Sequence, residues 1–221
     1  MSRQVFVTGG TGYLGQRLIP ELLKRGHIVR ALVRAGSEAR LPGGCEVVIG
    51  NALDGKSFEQ NIQPADTFVH LVGVPRPSPA KAKQFREIDL VSIHASVPAA
   101  VKTGINHFVY LSVAQPAPIM KDYQEVRAEG ERLIRESGLL ATILRPWYVL
   151  GPGHRWPYLL LPFYKAMEFI PQARESAKRL GLVTIAQMTA ALLAAIESKN
   201  NDGIRVLDVP RIRQAVLHEN D

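Results

Sequence analysis

A chain of 221 residues, 46% hydrophobic and 21% charged, is long enough to bury a full core and too apolar to stay disordered. The one cysteine, Cys45, excludes an internal disulfide and a thiolate metal cage and fits a reducing, cytoplasmic setting. The formal charge of +7 suits an anionic partner such as a cofactor phosphate, but Lys and Arg are scattered from Arg3 to Arg213 without a basic run, which argues against nucleic acid.

Gln4 to Thr8 is a strand-like run at the N-terminus, with no signal-peptide pattern before it. It ends in three glycines at spacing G-x-x-G-x-x-G, Gly9, Gly12 and Gly15. Leu14, Leu18, Ile19, Leu22 and Leu23 then recur at helical spacing until Lys24, Arg25 and Gly26 give a basic last turn and a stop. Strand, glycine turn and helix N-terminus together suit pyrophosphate binding. A turn without side chains admits a diphosphate to the backbone, and the free N–H groups and positive end of the helix face it. Gly9 is expected to make the turn, Gly12 the close approach and Gly15 the contact between helix and strand, with Thr11, Tyr13 and Leu14 along the same ligand. A glycine-rich surface loop is the competing reading, and the strand and helix on either side speak against it.

Ile28 to Val33 is a second strand, and Arg34 follows it about 20 residues after the glycine turn, where an acid would select NAD and a cation suits the 2′-phosphate of NADP. Arg34 and Ser37 therefore predict NADP in preference to NAD, against the alternative of an arginine that simply faces solvent. Glu46 to Ile49 reads as a third strand, and Asn51, Ala52 and Leu53 in the next turn are placed beside the adenine, ahead of a short helix near Phe58 to Ile62. Ala65 to Val72 is a fourth strand, so Leu71, Val72 and Gly73 come close to the cofactor sugar; Pro75, Pro77 and Pro79 then force a loop at the carboxyl edge of the sheet.

Lys81 to Thr103 predicts a long helix kinked at Pro98, His107 to Ser112 a fifth strand, Lys121 to Ser137 a helix, Leu139 to Leu144 a sixth strand, Ile185 to Ser198 a helix and Ile204 to Val209 a last strand. Residues after Pro210 read as a polar tail. The alternation gives an α/β fold, a doubly wound parallel sheet, with a dinucleotide-binding core over 1–150 and a small lobe over 151–209. The apolar stretches near Tyr158 and Thr189 fall short of the roughly 20 residues a membrane span needs. His70, His94 and His107 share no metal-ligand spacing, and no metal is expected.

Thr8-Gly-Gly-Thr-Gly-Tyr-Leu-Gly15, Gly50-Asn-Ala-Leu-Asp54, Phe108-Val-Tyr-Leu-Ser112, Tyr123 and Leu144-Arg-Pro-Trp-Tyr-Val-Leu-Gly-Pro-Gly153 occur in an order that resembles the atypical or extended short-chain dehydrogenases/reductases, including the epimerase-like, NmrA-like and complex I accessory members. The resemblance covers residues 4 to 209 and implies an NAD(P)-binding Rossmann fold, with Pro146 beside the cofactor. It also implies catalysis by a tyrosine, a lysine four residues on, and a serine or threonine after the fifth strand. This chain offers Tyr123 and Ser112, with Arg127 in place of the lysine. Arginine keeps the charge but cannot deprotonate in a proton relay.

Trp147, Tyr148, His154, Trp156, Tyr158, Phe163 and Tyr164 suit either an aromatic substrate pocket or the core of the small lobe. Two readings follow: an NADPH-dependent oxidoreductase acting on a small hydrophobic carbonyl or quinone-like compound, or a non-catalytic NADP(H)-binding redox sensor or assembly protein. The Lys121 to Ser137 helix carries one apolar stripe, Val126, Leu133 and Ile134, which the sheet consumes, so a monomer is expected.

Overall fold

The computed structural model describes residues 2–152, 180–198 and 203–217. Parallel strands β1 (Gln4–Thr8), β2 (Ile28–Val33), β3 (Glu46–Ile49), β4 (Thr67–His70), β5 (His107–Leu111), β6 (Ala141–Leu144) and β9 (Ile204–Leu207) form one sheet in the order β3-β2-β1-β4-β5-β6-β9. A separate two-stranded parallel pair joins β7 (Tyr148–Leu150) to β8 (Leu182–Thr184), which the sequence pattern did not announce. Helices α1 (Gly15–Lys24), α2 (Ala82–Gln84), α3 (Val91–Lys102), α4 (Lys121–Glu136), α5 (Ile185–Glu197) and α6 (Val209–Gln214) complete the doubly wound architecture. Strand order reverses at β1, whose neighbours are β2 and β4, and the crevice at the carboxyl ends of β1 and β4 is where such sheets bind ligands.

Period-two alternation in the strands divides the core into two faces. Val5, Val7, Val29, Val69 and Val109 face Leu18, Ile19 and Leu22 of α1 and Leu192 of α5. On the other face the parallel register brings Phe6, Phe68 and Phe108 into one line across three strands, with ring centroids 5.2 and 5.0 Å apart, and Phe58 extends the line at 6.0 Å. Two residues nearer the carboxyl edge, the same alternation places His70 beside Tyr110.

Several element boundaries differ from the sequence expectation. The predicted 58–62 helix is two short 3-10 turns, Gly55–Ser57 and Glu59–Asn61. The expected long helix over 81–103 is interrupted by a π-helical turn, Phe85–Leu90, which inserts an extra residue per turn and sets Asp89 and Phe85 inward between α2 and α3. The stretch read as a polar tail instead enters α6, capped by the Asp208 carboxylate accepting from the Arg211 N–H, with Val209 and Ile212 fully buried. One face of a six-residue helix suffices for that burial even though Arg211, Arg213 and Gln214 make the segment look polar. Among the described residues no helix is long and apolar enough to cross a membrane.

Candidate active site

The glycine turn performs three separate tasks. Gly9 has φ of +77°, and a Cβ there would lie 2.7 Å from the Leu71 carbonyl carbon, so this position brings β1 and β4 together as well as making the turn. At Gly15 a Cβ would lie 2.6 Å from the Gly10 carbonyl carbon; the contact is with the turn itself, where the sequence reading expected the strand. Only the Gly9 carbonyl, at 3.1 Å, would approach a Cβ on Gly12 within 4 Å, leaving the other side open for a ligand. No side chain caps α1 and no acid occupies its first turn, so its positive dipole end faces the turn without a protein anion, while the Gln16 and Arg17 amides donate to the Gly12 and Leu14 carbonyls.

A cavity of about 370 Å³ opens beside this turn. Of the residues singled out in the sequence, Gly9, Gly12, Tyr13, Leu14, Gly15, Leu71, Gly73, Ser112, Tyr123, Arg127 and Pro146 line it, joined by Trp147 and Tyr148. Thr11, Arg34, Ser37, Asn51, Ala52, Leu53 and Val72 do not line it. Arg34 and Asn51 follow the carboxyl ends of β2 and β3, along the sheet edge from the turn. Arg40 closes that edge by donating to the Thr11 carbonyl at 2.7 Å. The Asn51 side chain accepts from the Leu53 N–H, forming a local turn. His154, Trp156, Tyr158, Phe163 and Tyr164 lie outside the described residues.

Arg127 does something the sequence did not foretell. It is 1% exposed, and its Nη2 meets the Asp89 carboxylate at 2.6 Å. Its Nη1 donates to the Leu111 carbonyl at 2.9 Å and Nη2 reaches the Val72 carbonyl at 3.4 Å, so one side chain joins the ends of β4 and β5. The other Asp89 oxygen accepts from the Val74 N–H at 3.0 Å. Gly73 sits between these two bonds, and a Cβ there would run into the Arg127 guanidinium. The arginine at the family's lysine position is therefore charge-neutralised and tied to the scaffold.

The guanidinium carbon lies 5.1 Å from the Tyr123 ring centre and 5.8 Å from that of Tyr110, facing both π-systems. Burial pushes the Tyr123 phenol up, with Arg127 opposing and Asp89 reinforcing the shift. Burial likewise pushes Tyr110 up to about 12 against the pull of Arg127. Both are phenols at neutral pH. His70, flanked by Thr8 Oγ1 at 3.0 Å and Ser92 Oγ at 3.3 Å, is pushed down to about 3 by burial and by the Arg127 charge, and stays neutral.

Ser112 is buried, and its hydroxyl donates to Glu131 Oε1 at 2.6 Å. Glu131 lies one helical turn beyond Arg127 on α4 and also accepts from Gln115 at 2.9 Å and from Arg145. With its proton committed to a carboxylate, Ser112 faces the cavity only as an acceptor. Asp89 and Glu131 both escaped the sequence reading. Glu131 had a legible signal, because Tyr123, Arg127 and Glu131 share i, i+4 spacing on one face. Asp89 had none, since its inward position depends on the π-helical turn. Among the described residues no group of three or more His, Cys, Asp or Glu is arranged to hold a metal ion.

A family model described as NAD(P)H-binding matches residues 9–155. The chain belongs to this NAD(P)H-binding family. The membership agrees with an atypical short-chain dehydrogenase/reductase having an epimerase-like Rossmann fold. Among curated proteins, the chain is 24% identical over 209 residues to a ceramide reductase of Caulobacter vibrioides, covering 94% of this chain and 65% of the relative. It is 32% identical over 177 residues to a 3-diazoavenalumate denitrifying reductase of a Streptomyces species, covering 68% of this chain and 57% of the relative. The chain thus spans under two thirds of the length of these relatives. Among solved structures, the Bordetella bronchiseptica enzyme WbmH in complex with NAD+ superposes with a TM-score of 0.68 at 21% identity, covering 93% of this chain and 75% of that one. As a member of this family the chain is an NAD(P)H-binding protein.

Proposed function

We propose that the protein is an NADPH-dependent reductase of a small hydrophobic carbonyl or quinone-like compound, with Tyr123 as proton donor. The observation that carries this reading is the continuity of the cavity, which runs from the glycine turn to Tyr123 and is walled by Trp147 and Tyr148. The uncapped α1 terminus and the open side of Gly12 fit a dinucleotide diphosphate. A bound nicotinamide would supply the hydride for a substrate carbonyl. The role of this chain is to hold the carbonyl against Tyr123 and give its oxygen a proton. Burial keeps the Tyr123 phenol protonated at neutral pH, the form able to donate, and makes it a weaker acid than a solvated phenol.

Arg34 and Ser37, at the end of β2, are the residues proposed for the 2′-phosphate, with Asn51, Ala52 and Leu53 beside the adenine. Ser112 would accept a hydrogen bond from the nicotinamide amide or a substrate donor. Arg127 acts as a positioning residue, holding the strand ends and one face of Tyr123.

Calorimetric titration tests cofactor choice: NADPH is expected to bind about tenfold or more tightly than NADH, and Arg34→Ala to erase the difference. Turnover tests the rest. Menadione and hydrophobic aldehydes should be reduced by the wild type and not by Tyr123→Phe. NADPH binding without turnover across that panel would favour the second reading, a non-catalytic NADP(H)-binding protein. Its specific support is that the Arg127 charge and the Ser112 proton are both committed to buried carboxylates.

A further inference from the structure

Two non-glycine residues among those described have positive φ, Arg76 at +50° and Met120 at +62°, and both line the cavity. A left-handed backbone is unfavourable for a residue with a Cβ, and such positions persist where surrounding structure enforces them. At Arg76 the enforcement is visible. Pro75 and Pro77 flank it, and the Lys81 ammonium donates to the Pro75 carbonyl at 2.6 Å and the Arg76 carbonyl at 3.1 Å. The loop is stiffened around an arginine.

The charges around the cavity give that arginine a purpose. Among the described lining residues there is no Asp, Glu, Lys or His, and the charged side chains are Arg76 and Arg127. Arg127 is neutralised by Asp89. Among the described residues no carboxylate pairs with Arg76, which is exposed to solvent and is the one lining cation without a protein counter-charge, beside apolar and aromatic neighbours. Its position in the cavity follows from its neighbours. Val74, two residues earlier, packs with Phe85 and Val126, against which Met120 and Tyr123 also pack. Arg76 therefore belongs to the Tyr123 end, away from the diphosphate end at the glycine turn.

We propose that Arg76 forms an anion subsite at the substrate end of the cavity. The compound that fills it then has a hydrophobic body and a carboxylate or comparable anionic group. The guanidinium offers a planar fork of donors to such a group, and the apolar wall covers the body. This inference rests on the reading of the cavity as a substrate site, but its test needs no turnover.

The probes are 2-naphthoate and 2-naphthamide, equal in shape and different in charge, titrated by calorimetry into the full chain with and without NADPH. Wild type is expected to hold naphthoate about tenfold more tightly than naphthamide, with the preference weakening in high salt. Arg76→Gln should abolish that preference while leaving naphthamide affinity unchanged, and Arg76→Lys should retain part of it. Equal affinity for the two probes in wild type, or a preference that survives Arg76→Gln, overturns the proposal. Competition between naphthoate and NADPH would also overturn it, by assigning the anion site to the cofactor. Failure of NADPH to bind, with the naphthoate preference intact, would count against the reductase reading alone.

Discussion

Removing either partner of the buried Asp89–Arg127 pair should destabilise the fold, but with opposite sensitivity to pH. Asp89→Ala removes a 2.6 Å charge-assisted bond and leaves both the guanidinium and the Val74 N–H without that acceptor. A charge-assisted bond contributes about 1.5 to 3 kcal/mol and an orphaned buried donor costs about 1 to 3, so the loss should be about 3 to 5 kcal/mol. Arginine cannot escape by deprotonating, so the loss persists, but it shrinks as pH rises through the raised Asp89 pKa, because the variant lacks the titration that weakens the wild type there. Arg127→Ala strands a carboxylate instead, and that group has an escape. Burial already pushes Asp89 up, and without the opposing guanidinium its pKa rises further. The native state then binds a proton that the unfolded chain, near its ordinary 3.8, has released. Stability therefore falls as pH rises from about 4 toward the raised native value. Urea denaturation between pH 6 and 8.5, each variant referenced to wild type at the same pH, measures both effects. A loss under about 1 kcal/mol for Asp89→Ala, or a larger loss for Arg127→Ala at pH 6 than at pH 8.5, would refute the reasoning.

Acid should destabilise the wild type through its buried neutral histidines. The folded pKa values of His70 and His107 are pushed down to about 3 and about 4, chiefly by burial. Their contribution is complete above the unfolded value of 6.5 and is lost as pH falls toward the folded values; from pH 7 to 5 each costs about 2 kcal/mol, which His70→Gln should reduce in urea titrations. Gly15→Ala should abolish nucleotide binding in calorimetry, because its Cβ meets the backbone of Gly10 and the turn has to open. Glu131→Gln removes the charge that holds Ser112, Gln115 and Arg145, and should lower stability by about 2 kcal/mol or more in thermal and urea denaturation.

The sequence alone determined the parts of this protein that obey local rules. A short apolar run ending in spaced glycines and followed by helical periodicity reads as a strand feeding a helix N-terminus, and β1, the Gly9 turn and α1 stand where that pattern put them. The line of Phe6, Phe68 and Phe108 came from the strand order β1-β4-β5 and its register, which the tertiary structure decided. The candidate site was legible as residue types at positions, Tyr123, Arg127 and Ser112, but not as bonding partners. Which carboxylate meets which cation is a matter of tertiary approach. Asp89 turns inward in a π-helical turn that propensity does not encode, and there it pairs with Arg127. Arg76 was one arginine in a proline loop until the fold placed it on the cavity wall with no carboxylate partner among the described residues. Charge compensation is a sum over neighbours distant in sequence, so only the folded chain decides it.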